Sequence, residues 1–207
     1  MTYDKDYYEG DSSNYGCYGG YRGKFLGFAR FIINGKAMRL IKKYKKNGRL
    51  LELGCAYGYF INKAKNNGFD ATGCDISQFA IDEGKKMFPD IDISQSDISK
   101  LKFKDKTFDI VATFETLEHC KNLEDVLEEM NRVIKDDGLL LVSIPDTQVL
   151  PVEKDVDPTH IWHLSLEEWV KRISKSGFKL IKSLTYPPLM IKIKPIGCTR
   201  FILFEKT

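Results

Sequence analysis

The sequence predicts an α/β protein built on a mostly parallel sheet, and three observations carry that prediction. Short apolar runs recur, each stopped by Gly, Pro or polar turn residues. Between them lie segments whose apolar residues repeat at three- and four-residue steps, the period of a helix with one buried face. Strand and helix alternate five times between residues 50 and 144. Such alternation implies parallel strands joined by right-handed crossovers.

Residues 2–23 come first and are rich in Tyr, Gly, Ser and Asp. Six of the ten tyrosines lie there: Tyr3, Tyr7, Tyr8, Tyr15, Tyr18 and Tyr21. Low aliphatic content argues against a core element and for an arm or lid over residues 1–23. Residues 24–46 read as helix, with Leu26, Ala29, Ile33, Ala37, Leu40, Ile41 and Tyr44 on one face and Lys36, Arg39, Lys42, Lys43, Lys45 and Lys46 on the other. Asn34-Gly35 is expected to split it. The basic side reads as a solvated face, with a stripe for RNA as the lesser reading.

The first strand is the apolar run 50–53. It stops at Gly54, small residues follow at Ala56 and Gly58, and Tyr59, Phe60, Ile61 and Ala64 open a helix that Gly68 closes. Strand, tight glycine turn and helix bring bare main chain to the carboxyl edge of a sheet, where a ligand can approach closely. The second strand, 69–76, ends with Asp75, and an acid there can accept both hydroxyls of a ribose. Ser77 caps the next helix, 78–87. Ile91 and Ile93 mark a short third strand leading to Asp97-Ile98. The run 108–114 is apolar on both faces and hence central. Asn122 is placed to cap a helix over 123–134, and 139–144 forms the fifth strand, stopped at Pro145. The stretch 147–161 has no period and is long for a connection. Ser165 and Glu168 form a capping box for a helix that Gly177 ends. Two strands, 178–184 and 200–204, close the chain across a proline-interrupted loop, 186–198.

The glycine spacing excludes other ligands. A dinucleotide fingerprint needs a third glycine where Tyr59 stands, and a phosphate loop needs Lys and Ser or Thr after Gly58, where Tyr59 and Phe60 follow. The loop and Asp75 point to a nucleoside-bearing ligand without a polyphosphate.

On these residues, Glu52-x-Gly54-x-Ala56-x-Gly58 followed by Asp75 closing the next strand, residues 38–207 resemble the class I S-adenosylmethionine-dependent methyltransferases. Ala56 replaces the middle glycine of the usual loop. The resemblance implies a Rossmann-like three-layer sandwich: helices on both faces of a mostly parallel seven-stranded sheet whose last strand is antiparallel. It implies one methyltransferase domain over residues 24–207, with S-adenosyl-L-methionine as cofactor and S-adenosyl-L-homocysteine as product. It implies cofactor contacts from Glu52, Gly54, Cys55, Ala56, Gly58, Asp75, Ile76, Asp97, Ile98 and Phe114, with Asp97 and the Ile98 N–H holding the adenine. It also implies an N-terminal extension that closes over the cofactor.

The 207 residues suit one domain with a sizeable core. A net charge of +3 is too small to imply a nucleic-acid partner. Cys17, Cys55, Cys74, Cys120 and Cys198 form no C-x-x-C pair and no zinc-finger spacing, so neither disulfides nor a metal site is expected. Residues 1–11 are polar and acidic, and 25–33 is too short and too interrupted to span a bilayer. A cytoplasmic protein with no membrane insertion is the expectation; the sequence carries no signal of oligomeric state.

Methyl transfer from a sulfonium mainly needs proximity and orientation, and a neutral acceptor can also need a base. The chain has three histidines. His119 follows the fourth strand beside Glu118, and His160 and His163 follow the fifth. His119, then His160, are the candidate catalytic bases. After the fourth strand stand Glu115-Thr116-Leu117, without the Asp/Asn-Pro-Pro-aromatic sequence of enzymes that methylate base amines. That ending resembles enzymes that modify small molecules, and the resemblance implies a small-molecule acceptor, a metabolite, lipid or sugar precursor, with O-methylation favoured. The alternatives are an RNA or protein methyltransferase, or a non-catalytic cofactor-binding relative; a nicotinamide enzyme is disfavoured by Tyr59.

Overall fold

The computed structural model describes residues 3–10, 20–148, 152–154, 157–185 and 199–207. The chain forms two compact units, Met1–Ile98 and Ser99–Thr207. Tyr15, Tyr18, Cys17, Asp155 and the loop 186–198 lie outside the described residues.

The first unit opens with a short helix, α1 (Lys5–Glu9), started by the Asp4 carboxylate, which accepts from the N–H groups of Asp6 and Tyr7 at 3.1 and 3.3 Å. Helix α2 (Lys24–Tyr44) runs without interruption, so the expected break at Asn34-Gly35 does not occur. A single interior glycine costs only about 1 kcal/mol. Burial of Ala37, Met38, Leu40 and Ile41 downstream outweighs it. Then come β1 (Gly48–Leu53), α3 (Tyr59–Lys65), β2 (Phe69–Asp75), α4 (Gln78–Met87) and β3 (Asp92–Gln95). Ser77 Oγ accepts from Ala80 N at 3.1 Å, the expected cap. β2 lies between β1 and β3, parallel to both. Gly73 of β2 sits so close to the next layer that a Cβ there would stand 2.9 Å from Cys55 Cβ and Ile61 Cγ1.

The second unit contains β4 (Phe108–Phe114), a 3-10 turn at Leu117–His119, α5 (Leu123–Val133), β5 (Ile134–Pro145), a 3-10 turn at Val152–Lys154, α6 (Leu166–Lys175), β6 (Phe178–Thr185) and β7 (Thr199–Lys206). The Asn122 side chain makes no capping hydrogen bond, contrary to expectation; its backbone (φ −106, ψ 66) lies outside the extended geometry of a usual N-cap. Ile134 leaves the helix to pair with Phe108, after which the ladder jumps to Ile110–Leu139. The extra residues 135–138 bulge at Asp137-Gly138, where a Cβ on Gly138 would meet the Lys135 carbonyl at 2.9 Å.

β4 and β5 are parallel, and β7 inserts antiparallel between β5 and β6. The last strand therefore runs against its neighbours, as expected. The capping box at Ser165 and Glu168 is present. Behind it Trp169 is fully buried, with its indole N–H on the Pro145 carbonyl at 3.2 Å.

Candidate active site

In the first unit, the apolar strand β1 delivers the chain to a loop that the left-handed backbone dominates. Gly54 (φ 72), Ala56 (φ 45) and Gly58 (φ 72) all lie in that region. At Gly58 a Cβ would stand 2.5 Å from Ile91 Cδ1. Ala56 holds its conformation at a cost of about 1–2 kcal/mol, and its N–H is fixed on Asp75 Oδ2 at 2.8 Å. The N–H groups of Gly54 and Cys55 both donate to the Cys74 carbonyl, at 2.8 and 3.0 Å, locking the loop to the end of β2.

Asp75 is 6 % exposed. Its second oxygen accepts from Ser77 N at 2.8 Å. Burial pushes its carboxyl above the ordinary value, and the N–H groups of Ser77, Ala56 and Ile76 pull it back. Glu52, also buried, is pushed well above its ordinary value, first by burial and then by the charge of Asp75. From β2 the Asp75 carbonyl accepts from Ser96 N at 2.8 Å and the Ile76 carbonyl from Gln95 Nε2 at 3.0 Å. These bonds bring Asp97, exposed, and Ile98, half-buried, to the same edge. Ile76 is exposed beside them.

The N-terminal arm is packed on this edge. Tyr8 is buried between Tyr57, Phe79 and Tyr21, with ring centroids at 5.4, 6.2 and 5.1 Å. The Ser77 hydroxyl donates to the Tyr3 carbonyl. Tyr57 donates its hydroxyl to Glu9 at 3.1 Å, and Arg22 bridges Glu9 and Glu83 at 2.7 and 3.0 Å. An arm without core residues was the expectation from its low aliphatic content; Tyr8 corrects it, because an aromatic ring buries as much area as an aliphatic side chain. No short-range pattern marks Tyr8 apart from its neighbours.

In the second unit, β4 ends at Phe114, half-buried edge-on against Phe201 at 5.9 Å. Glu115 follows in the left-handed region (φ 48), its carboxylate accepting from Ser143 Oγ at 2.5 Å. The 3-10 turn then presents Glu118, fully buried, and His119. His119 Nδ1 lies 3.1 Å from the Thr159 carbonyl and 2.8 Å from Thr159 Oγ1. That hydroxyl donates its own proton to Asp157 Oδ1 at 2.6 Å. Both contacts at Nδ1 are therefore acceptors, so Nδ1 carries a ring proton.

His160 is brought to the same place, its ring centroid 4.8 Å from that of His119. His160 Nε2 is 3.8 Å from both Glu118 Oε1 and Asp157 Oδ2. The Glu118 carbonyl accepts from Ile161 N and Trp162 N at 2.8 and 3.1 Å, which ties the two segments together. His163 is exposed, its ring 6.3 Å from that of His160. The sequence reading did not single out Asp157 and Thr159 as orienting groups. Their only local signal is Asp157-Pro158-Thr159, a turn sequence.

The methyltransferase domain family matches residues 28–183, most of the chain. This chain belongs to the class I S-adenosylmethionine-dependent methyltransferases. The methyltransferase is 31% identical over 179 residues to a protein of Methanocaldococcus jannaschii, covering 82% of this chain and 74% of that one. It is 25% identical over 131 residues to a probable S-adenosylmethionine-dependent methyltransferase of Mycobacterium tuberculosis, covering 62% of this chain and 48% of the relative. A solved structure of a Pyrococcus horikoshii protein shares the fold, with a TM-score of 0.68 at 23% identity over 82% of this chain and 87% of that one.

The cofactor of the methyltransferase is S-adenosylmethionine, and S-adenosylhomocysteine is its product. The residues present fit it. An ionised carboxylate offers about four acceptor sites; Asp75 accepts from Ala56 and Ser77 N–H at 2.8 Å, with Ile76 N–H also acting on it, and keeps acceptor capacity for a sugar hydroxyl. Among the described residues, no helix is long and apolar enough to cross a membrane.

Proposed function

We propose that this methyltransferase moves a methyl group from S-adenosylmethionine to an oxygen of a small-molecule acceptor, a metabolite, lipid or sugar precursor. Asp75 takes the ribose hydroxyls, Asp97 and the Ile98 N–H take the adenine, and Gly54 to Gly58 with Cys55 and Ala56 leave room for the amino-acid end beside Glu52. Ile76 supplies apolar contact. The described part of the arm, residues 3–10 and 20–23, lies across the cofactor edge and excludes water when the cofactor is bound.

One observation supports the chemistry most: the Thr159–Asp157 relay engages His119 at Nδ1, so the nitrogen that would take a proton is Nε2. A neutral imidazole in one tautomer is suited to take the acceptor's proton. The acceptor oxygen then attacks the methyl carbon, the C–S bond breaks, and the electron pair stays on the sulfur. His160 stands behind as a second nitrogen at the site. The test is incubation with methyl-labelled cofactor and a panel of hydroxyl-bearing metabolites. Label transfer to an oxygen is expected; transfer only to RNA or protein would refute the reading.

A further inference from the structure

We infer that Glu118, His119 and His160 form a binding site for one divalent transition cation of the zinc class. An oxygen of Glu118 and one nitrogen of each histidine all lie within 4.8 Å of one another. Ligands that share one ion at about 2.0–2.2 Å stand roughly 3–4 Å apart. The Glu118–His160 pair already meets that spacing at 3.8 Å, and small side-chain rotations close the rest.

Three further observations favour a cation over a plain cluster. First, His119 is oriented as metal-bound histidines are. Its Nδ1–H is spent on Thr159, itself held by Asp157, so a bond to an ion would use Nε2. Second, the Glu118 carboxylate is fully buried against two imidazoles. A cation bound there would meet that negative charge away from water, where the attraction between opposite charges is strong. Third, the ligands are held before any ion arrives. Ile161 N and Trp162 N bind the Glu118 carbonyl, and Trp162 Nε1 donates to the Cys120 carbonyl at 2.7 Å. The segments bearing the ligands are thus joined on both sides of the site.

Two imidazoles and one carboxylate select zinc, iron, cobalt or nickel over magnesium or calcium, which prefer all-oxygen shells. Three protein ligands leave an open position, the arrangement of a catalytic rather than a structural ion. The cysteine spacings gave no hint of this site because no cysteine belongs to it. Within the function proposed above, an acceptor hydroxyl bound at the open position would lose its proton to water more readily, and His119 would serve as ligand in place of base. The existence of the site does not depend on that use.

The test is titration of the chelator-treated full chain with Zn²⁺ by calorimetry and with Co²⁺ by visible absorption, alongside S-adenosylhomocysteine binding on the same samples. Uptake of one ion per chain is expected, with the Co²⁺ bands of a nitrogen- and oxygen-ligated site. Glu118→Gln and His160→Gln, checked for folding by circular dichroism, should each weaken uptake about tenfold or more, while His163→Ala binds as the parent does. No uptake at about 100 µM metal, or uptake unchanged in both variants, overturns the site. Metal uptake without S-adenosylhomocysteine binding would sink the cofactor reading and leave the ion site standing; the reverse would sink only the ion site.

Discussion

Gly84 tests whether helix α4 sets the shape of the cofactor loop. A Cβ at that position would stand 2.8 Å from the Tyr57 carbonyl oxygen, 3.0 Å from its carbon and 2.7 Å from Ile93 Cδ1. The isoleucine methyl can rotate away. The carbonyl cannot, because Gly58 N on the Cys55 carbonyl and Asn62 N on the Gly58 carbonyl, at 2.8 and 2.9 Å, hold that stretch of main chain. In Gly84→Ala the helix or the loop must therefore yield by roughly half an ångström in a densely packed region. Overpacking against backbone costs about 2–3 kcal/mol, and the better helix propensity of alanine returns about 1 kcal/mol. The net loss is about 1–2 kcal/mol, which lowers the melting temperature by about 3–6 °C for a chain of this size. Gly35→Ala is the paired control. Nothing lies within 4 Å of its added Cβ, so it should gain about 0.5–1 kcal/mol. Calorimetric melts of both variants, with and without S-adenosylhomocysteine, measure the effect. Gly84→Ala should also bind the product more weakly. A Gly84→Ala protein that melts at or above the parent refutes the packing argument.

Three further outcomes are expected. Glu52 is raised above its ordinary value, so its favourable contribution is full below about pH 4.3 and is lost as pH rises through its folded-state value; Glu52→Gln removes that loss, and melts should show the variant gaining on the parent as pH rises above about 4.3. A gap that narrows with rising pH would contradict the sign. His119→Ala should lower turnover by about 100-fold or more with S-adenosylhomocysteine affinity retained, read by labelled transfer and calorimetry; unchanged turnover removes His119 from the chemistry. Asp146 is fully buried, accepts from Gln148 N and Leu166 N at 3.0 and 3.1 Å, and pairs with Arg200. Arg200→Met strands that charge at a cost of about 3 kcal/mol, visible as a reduced urea midpoint, whereas a midpoint equal to the parent's would show the pair to be idle.

Much of the first unit was legible because its signals are local. Gly54 and Gly58 mark positions where the backbone turns left-handed, and such a turn writes itself into residue type within a few positions. Asp75 closes a short apolar strand and Ser77 announces a helix start that the structure contains, as the Ser165–Glu168 pair does in the second unit. The errors came where packing overrode a local rule. Gly35 does not break α2, and Tyr8 leaves a polar, tyrosine-rich arm to become core.

By itself the sequence determined the strand and helix order, the glycine loop and the acid that closes β2, because each depends on the conformational limits of neighbouring residues. Only the tertiary structure decided which proton His119 carries and that Glu118 and His160 meet it. His119 and Thr159 are 40 residues apart, and no local preference encodes a hydrogen bond across that distance. Side-chain chemistry at the site is a property of what long-range folding places beside it.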